Sequence, residues 1–178
     1  YTPLCWDGCQ LCVILERGCS FITYDQPFLI SLRLTIRSLK EMVNGLEDPK
    51  LLLHFIKGVK DIFYMFLNTA RSHIYITTPW ISKNIVNNLL GKADSGVTIR
   101  LLVSDDTNND ANRESLDYLK QIVHEHHQLE VRLCSLSEIF IHAKGVMVDD
   151  CMLLEGSFNL TNRGLEENVE NITISFSP

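Results

Sequence analysis

Ile141-His142-Ala143-Lys144-Gly145-Val146-Met147-Val148-Asp149, followed after Asp150 by Cys151-Met152-Leu153-Leu154-Glu155-Gly156-Ser157-Phe158-Asn159, is the stretch whose reading decides the fold. Its first half alternates. Ile141, Ala143, Gly145, Met147 and Asp149 face one way, and His142, Lys144, Val146 and Val148 face the other, which is the period of a strand. An imidazole and an ammonium therefore share one face, two residues apart. Cys151 to Glu155 is a short apolar run that reads as a second strand, with Asp149-Asp150 as a tight turn between the two. The hairpin delivers Gly156-Ser157-Phe158-Asn159, a small-residue turn able to open a helix, beside the histidine and the lysine.

An imidazole, a cation, a carboxamide and exposed backbone N–H groups together suit a phosphoryl group. The histidine can attack phosphorus or move protons. The lysine and asparagine can stabilise the oxygens of a five-coordinate transition state. Taken singly, His-x-Lys on a strand is usually a solvated face and Gly-Ser is usually a turn. The whole spacing is more specific: His142-x-Lys144, four residues, Asp149, then Gly156-Ser157-x-Asn159 after a further six, and Asn168-Val169-Glu170 beyond. This run resembles the HKD motif of the phospholipase D superfamily. The resemblance is strong over residues 142–170, extends more weakly over about 50–176, and is not seen in the first fifty residues.

The 178 residues suffice for one domain with a sizeable core and a small appendage. An apolar content of 46% and a charged content of 21% describe an ordinary globular chain. The net charge of −6 argues against a generally basic nucleic-acid binder without excluding a local basic site. Apolar runs are short and broken by charges, so no transmembrane span is expected, and the start lacks the pattern of a signal peptide. The chain begins with Tyr1, which points to a piece of a longer protein; a cytoplasmic location is expected.

Four of the six cysteines, Cys5, Cys9, Cys12 and Cys19, crowd into the first twenty residues. Their gaps of three, two and six residues could close a small structural zinc site. Buried thiols, disulfides or the tail of a metal module are the other readings. Ser20 to Tyr24 is strand-like, and Pro27 opens a helix with Leu29, Leu32, Ile36, Leu39 and Val43 at helical spacing. We divide the chain at residue 49 into a Cys-rich segment with this accessory helix and a catalytic domain, 50–178.

Leu51 to about Ser72 reads as one long amphipathic helix, with Leu52, Phe55, Ile56, Val59, Ile62, Phe63, Phe66 and Leu67 on its apolar side. The β-rich segment His73–Trp80 follows, stopped as a strand by Pro79. Ser82 then caps a helix to about Leu90, and Val97–Val103 is a strand. Asp110 to about His127 is a helix ending in clustered histidines, with His124 a conceivable metal tract but more simply a complement to the helix dipole. Leu129–Cys134 is a strand, and after the hairpin come a short helix near Asn162–Glu166 and a last strand, Val169–Phe176. Strands alternating with helices in this order signal an α/β domain, a mixed β-sheet sandwiched between helices.

The resemblance implies the same α/β/α sandwich. It also implies that two HKD motifs build one active site, either in one chain or across a homodimer; because one motif is present here, a homodimer is expected unless a second copy lies in sequence beyond these residues. Carried over residue by residue, His142 attacks the phosphodiester phosphorus, and His142 of a second copy protonates the leaving oxygen and then activates water. Lys144 and Asn159 hold the non-bridging oxygens, Ser157 assists through a hydrogen bond, and Glu170 orients His142. Asp149 matches the third letter of the motif, but its place beside the turn suggests a structural role. No metal or other cofactor is implied for catalysis. Short single-motif members resemble nucleases most often, so a nuclease acting on DNA or RNA is expected. The alternatives are a phospholipase or phosphatidyltransferase, and a non-catalytic nucleic-acid-binding module.

Overall fold

Alternating apolar residues on successive segments assemble one mixed sheet. The computed structural model describes residues 10–15, 18–23, 50–137 and 141–176. The strands are β1 (Gln10–Leu15), β2 (Gly18–Thr23), β3 (Lys50–Lys57), β4 (His73–Thr78), β5 (Thr98–Ser104), β6 (Leu129–Cys134), β7 (Gly145–Val148), β8 (Met152–Gly156) and β9 (Val169–Phe176). The helices are α1 (Lys60–Thr69), α2 (Lys83–Asp94) and α3 (Asp110–Ile122), and Arg163–Glu167 makes a single π-helical turn. Among the described residues the strand order is β2-β1-β3-β9-β8-β7-β4-β5-β6. The pairs β4–β5 and β5–β6 are parallel, as helical crossovers through α2 and α3 require, and the others are antiparallel.

Register explains the core. Ile74 lies between Ile99 and Val148, and Ile76 between Leu101 and Val146, so one side of the central strands is apolar throughout. Leu154 and Ile174 continue this side across β8 and β9. Phe63 and Phe66 from α1, Ile85 and Leu89 from α2, and Leu116 and Leu119 from α3 join the same cluster, all buried. Fully burying each such side chain contributes about 1.5–3 kcal/mol. The result is an α/β fold, a mixed sheet with flanking helices, as expected.

Several elements differ from the sequence reading. The long helix expected from Leu51 is two elements: Lys50–Lys57 is a strand paired to β1 on one side and β9 on the other, and helix begins only at Lys60. An apolar run such as Leu51-Leu52-Leu53 satisfies either period, and ladder hydrogen bonds to two neighbours decide for strand. The helix expected to reach His127 stops at Ile122, and His126 Nδ1 lies 3.0 Å from Asp94 Oδ1, tying the end of α3 to the end of α2. Ser82 occupies the N-cap position of α2, but its side chain makes no cap hydrogen bond, serving instead the segment after the hairpin. The short helix near Asn162–Glu166 is the π-helical turn.

Cys5, Cys9 and the helix expected from Pro27 lie outside the described residues. Cys12 stands on β1 opposite Phe21, and Cys19 on β2 opposite Ile14. Among the described residues, no group of three or more His, Cys, Asp or Glu is placed to hold a metal ion. No described helix is long and apolar enough to cross a membrane.

Asp149 is a structural anchor. Asp149 and Asp150 take left-handed backbone (φ 49° and 55°), and the Cys151 N–H donates to the Val148 carbonyl, closing the turn between β7 and β8. The Asp149 carboxylate accepts from the backbone N–H groups of Arg71, Ser72 and His73 at 2.9, 2.9 and 3.0 Å and from the Ser72 hydroxyl at 2.9 Å. It thus binds the α1–β4 connection to the hairpin tip. Burial pushes this carboxyl upward, but the N–H groups of His73, Ser72 and Arg71 with the Ser72 hydroxyl outweigh it and hold the pKa at about 2, below the ordinary 3.8.

A depressed carboxyl pKa stabilises the fold above its ordinary value and loses that contribution as pH falls through its folded value. Asp149→Ala is expected to cost about 1–3 kcal/mol of unfolding free energy at neutral pH. The gap between wild type and variant should narrow from pH 5 to pH 3, as measured by denaturant titration. A gap independent of pH would show that the carboxylate charge is not what anchors the loop.

Candidate active site

Three strands converge on one cleft because of their register. Gly145 pairs with Glu155, and Gly156 pairs with Ile172, so the approach to β7, the exit of β8 and the start of β9 lie side by side. A cavity of about 480 Å³ opens there, lined by His142, Lys144, Ser157, Asn159, Asn171 and neighbouring backbone. Gly156 is required for the close approach of β8 to β9: a Cβ there would stand 2.2 Å from the Asn171 carbonyl oxygen and 3.0 Å from the Ile172 Cα.

The strand begins at Gly145 rather than Ile141, so Lys144 and His142 both precede it; the alternation of burial through Val148 and Val146 still reaches Lys144 but stops short of His142. Lys144 is 8% exposed on the side of Val146 and Val148, while His142 is exposed at the cleft. The Lys144 ammonium donates to the His142 carbonyl at 2.5 Å, which curls the lysine back along its own motif. Burial lowers the Lys144 pKa from its ordinary 10.5, and the Glu170 carboxylate opposes that shift. Lys144 also accepts through its carbonyl from the Gly156 N–H at 3.3 Å, fastening the lysine to the turn that carries Ser157.

Glu170 is 6% exposed behind Ser157. The Ser157 hydroxyl donates to Glu170 Oε2 and accepts from the Asn171 N–H at 3.1 Å, and Asn168 Nδ2 donates to Glu170 Oε1 at 3.1 Å. The Ser157 N–H donates in turn to the Asn171 carbonyl at 3.0 Å. Both carboxylate oxygens are thus engaged by neighbours on the same two segments. Asn159 completes the cleft wall between Phe158 and Leu160, both buried.

Of the expected residues, the structure brings His142, Lys144, Ser157 and Asn159 to one cleft, with Glu170 buried behind Ser157 and Asp149 at the far end of β7. Asn168, part of the quoted run but given no role by it, holds Glu170; two residues apart, the pair has the spacing of one strand face. The contacts of Thr78 and Ser82 with the segment after the hairpin are likewise not legible in the sequence, where Ser82 reads only as a helix cap. The buried Thr78 hydroxyl accepts from the Leu160 N–H at 3.3 Å, the Ser82 N–H donates to the Leu160 carbonyl at 2.9 Å, and the Ser82 hydroxyl accepts from the Asn162 N–H at 3.2 Å. These contacts span some eighty positions and leave no local pattern to read.

What the arrangement offers chemically is an accessible imidazole, a desolvated cation and a carboxamide around one anion-sized space. Removing the Glu170 charge should lower the Lys144 pKa further, since burial would then act unopposed. Side-chain NMR titration of wild type and Glu170→Gln checks this, and an unchanged or higher Lys144 pKa in the variant would contradict the electrostatic coupling.

The sequence profile of a family described as cardiolipin synthase, PLD-like domain, matches residues 64–178. Similar solved structures include Nuc, a phospholipase D family member from Salmonella typhimurium, at 19% identity and a TM-score of 0.59, covering 74% of this chain and 84% of that one. NucT from Helicobacter pylori aligns at 17% identity and a TM-score of 0.57, covering 74% and 87%. The phosphatidylserine synthase of Haemophilus influenzae Rd KW20 aligns at 19% identity and a TM-score of 0.56, covering 79% of this chain and 40% of its own. No curated protein sequence matches. At these identities the structural likenesses establish the fold, and the matched profile takes in the entire cleft from His142 to Glu170: the chain belongs to the PLD-like domain family.

Proposed function

We propose that this protein is a phosphodiesterase acting through a phosphohistidine on His142, and that it is a nuclease cleaving DNA or RNA without a metal ion in its chemical step. The observation that carries the reading is the meeting of an exposed imidazole with the Lys144 ammonium and the Asn159 carboxamide around one cleft. His142 attacks phosphorus as the bond to the leaving oxygen breaks, and His142 of a second copy gives that oxygen its proton. The same imidazole then takes a proton from water, which displaces the histidine and releases the phosphate product. Lys144 and Asn159 bear the charge that grows on the non-bridging oxygens. Glu170, fixed by Ser157 and Asn168, acts on the orientation of His142.

The active species in this reading is a two-fold homodimer sharing one site, with a total interface on the order of 1,600 Å². Residues 50–178 form the catalytic unit and residues 1–49 an accessory segment, whose β1–β2 hairpin extends the sheet through β3. The chain aligns with 84% of Nuc and 87% of NucT and with 40% of the phosphatidylserine synthase. A phospholipase or phosphatidyltransferase is the second reading, favoured by the cardiolipin synthase description of the matched family.

Incubation with single-stranded DNA, duplex DNA, RNA and phosphatidylcholine vesicles, each with and without EDTA, separates these readings. Cleavage of a nucleic acid unaffected by EDTA is the expected result. His142→Ala should abolish cleavage and keep binding, while Lys144→Ala should weaken binding and lower kcat by about 10²–10³-fold. Activity confined to the lipid would move the assignment to the second reading, and a nuclease activity lost in EDTA and restored by magnesium would overturn the mechanism. Light scattering should find the active species dimeric; a fully active monomer would refute the shared site.

A further inference from the structure

Asn159 sits at the start of a loop that is fastened on two sides. On one side, Ile81 and Leu160 form a parallel bridge, reinforced by the hydrogen bonds from Thr78 and Ser82 described above. On the other, the chain doubles back through the π-helical turn. The Leu165 N–H donates to the Thr161 carbonyl at 2.9 Å, the Gly164 N–H to the Thr161 hydroxyl at 3.0 Å, and the Asn168 N–H to the Arg163 carbonyl at 3.0 Å. This brings Gly164 directly against Asn159. A Cβ on Gly164 would stand 2.4 Å from the Asn159 carbonyl oxygen, 2.9 Å from its nitrogen and 3.2 Å from its carbonyl carbon. All three are main-chain atoms of one residue, so none can turn aside as a side chain would.

The Asn159 carboxamide carries a second sign of constraint. Its oxygen is buried and has no hydrogen-bond partner among the described residues, although Asn159 lines an open cleft. Leaving a buried acceptor unpaired costs about 1–3 kcal/mol. Left to itself, the amide would turn this oxygen toward water. Something other than its own hydrogen bonding therefore keeps the oxygen inward; an amide held so would offer its NH₂ end to the cleft that Asn159 lines, the orientation that suits an anion. The buried Phe158 and Leu160 fix the two neighbours, and Gly164 is the group packed on Asn159 itself.

We propose that Gly164 is a positioning residue: having no side chain, it lets the π-helical turn pack on the Asn159 backbone and aim the Asn159 amide N–H groups into the cleft. The proposal rests on the phosphodiesterase reading for what the amide meets, but not for how it is held. Any side chain at Gly164 pushes the Asn159 backbone outward and misdirects the donor; misplacement by about 1 Å can cost on the order of 10²-fold in rate.

The test combines NMR with a double-mutant cycle. In Gly164→Ala, the side-chain amide resonances of Asn159 should shift, whereas Gly91→Ala, at an exposed helical site with nothing within 4 Å of a built Cβ, should leave them in place. Using bis(p-nitrophenyl) phosphate as substrate, Gly164→Ala should lower kcat by on the order of 10²-fold. Introduced into Asn159→Ala it should lower kcat no further, while the loss of thermal stability stays the same in both backgrounds. Thr161→Ala, which removes the hydroxyl holding the Gly164 N–H without adding an atom, should shift the same resonances less, and keeps the test open if Gly164→Ala fails to fold. Unmoved Asn159 resonances in the folded variants, or kcat losses that simply add, would overturn the proposal. A wild-type protein inert to every phosphodiester would count against the enzymatic reading, and the resonances would still decide the role of Gly164.

Discussion

The register of three antiparallel strands is the constraint on which the cleft depends. Lys144 precedes β7, Ser157 and Asn159 follow β8, and Glu170 lies near the start of β9, so none of them touches another unless β7, β8 and β9 align as they do. Two features fix that alignment. At one end, the turn at Asp149-Asp150 sets the β7–β8 pairing and is held to the α1–β4 connection by the half-buried Asp149 carboxylate. At the other, Gly156 allows β8 to press on the Asn171–Ile172 backbone at a distance no side chain would permit. A shift of one residue would turn Val146 and Val148 to the opposite side of the sheet and take Lys144 with them. The apolar core and the polar site are therefore specified by the same pairing.

Within that frame the electrostatics are economical. Lys144 is nearly buried, a costly position for an ammonium, and the Glu170 carboxylate and the His142 carbonyl offset part of that cost. Removing a cation from water raises its attraction for an incoming phosphate, because less solvent screens it. Glu170 in turn is anchored through Ser157 and Asn168. A net charge of −6 over the whole chain is compatible with anion binding at one desolvated cation, since the local field governs the site.

The hairpin, and the residues it brings to the cleft, are legible in the sequence because they are local. Strand alternation over Lys144, Val146 and Val148, the acidic turn, and the Gly156-Ser157-x-Asn159 exit each depend on residues close in the chain. The helical crossovers were readable for the same reason, with β6 and β9 at their expected bounds. The strand Lys50–Lys57 is not legible in the sequence because its strand character comes from two distant neighbours rather than from its own period. The support of the site was hidden in the same way. Thr78 and Ser82 meet the Leu160–Asn162 segment across the fold, and Gly164 matters for an atom it lacks. His142 was assigned to the strand face by simple alternation, but the strand starts three residues later, which leaves the imidazole exposed where it can reach a ligand.

The central claim is that His142 bonds covalently to phosphorus during turnover. The direct measurement uses a substrate labelled with ³²P at the scissile phosphate, denatured rapidly during turnover and kept in base, where a phosphohistidine survives. Peptide mapping should then find the label on the histidine of the Ile141-His142-Ala143-Lys144 segment, and nowhere in a His142→Ala protein. Turnover that proceeds at full rate with no label on His142, or a His142→Ala protein that cleaves near the wild-type rate, would contradict the account.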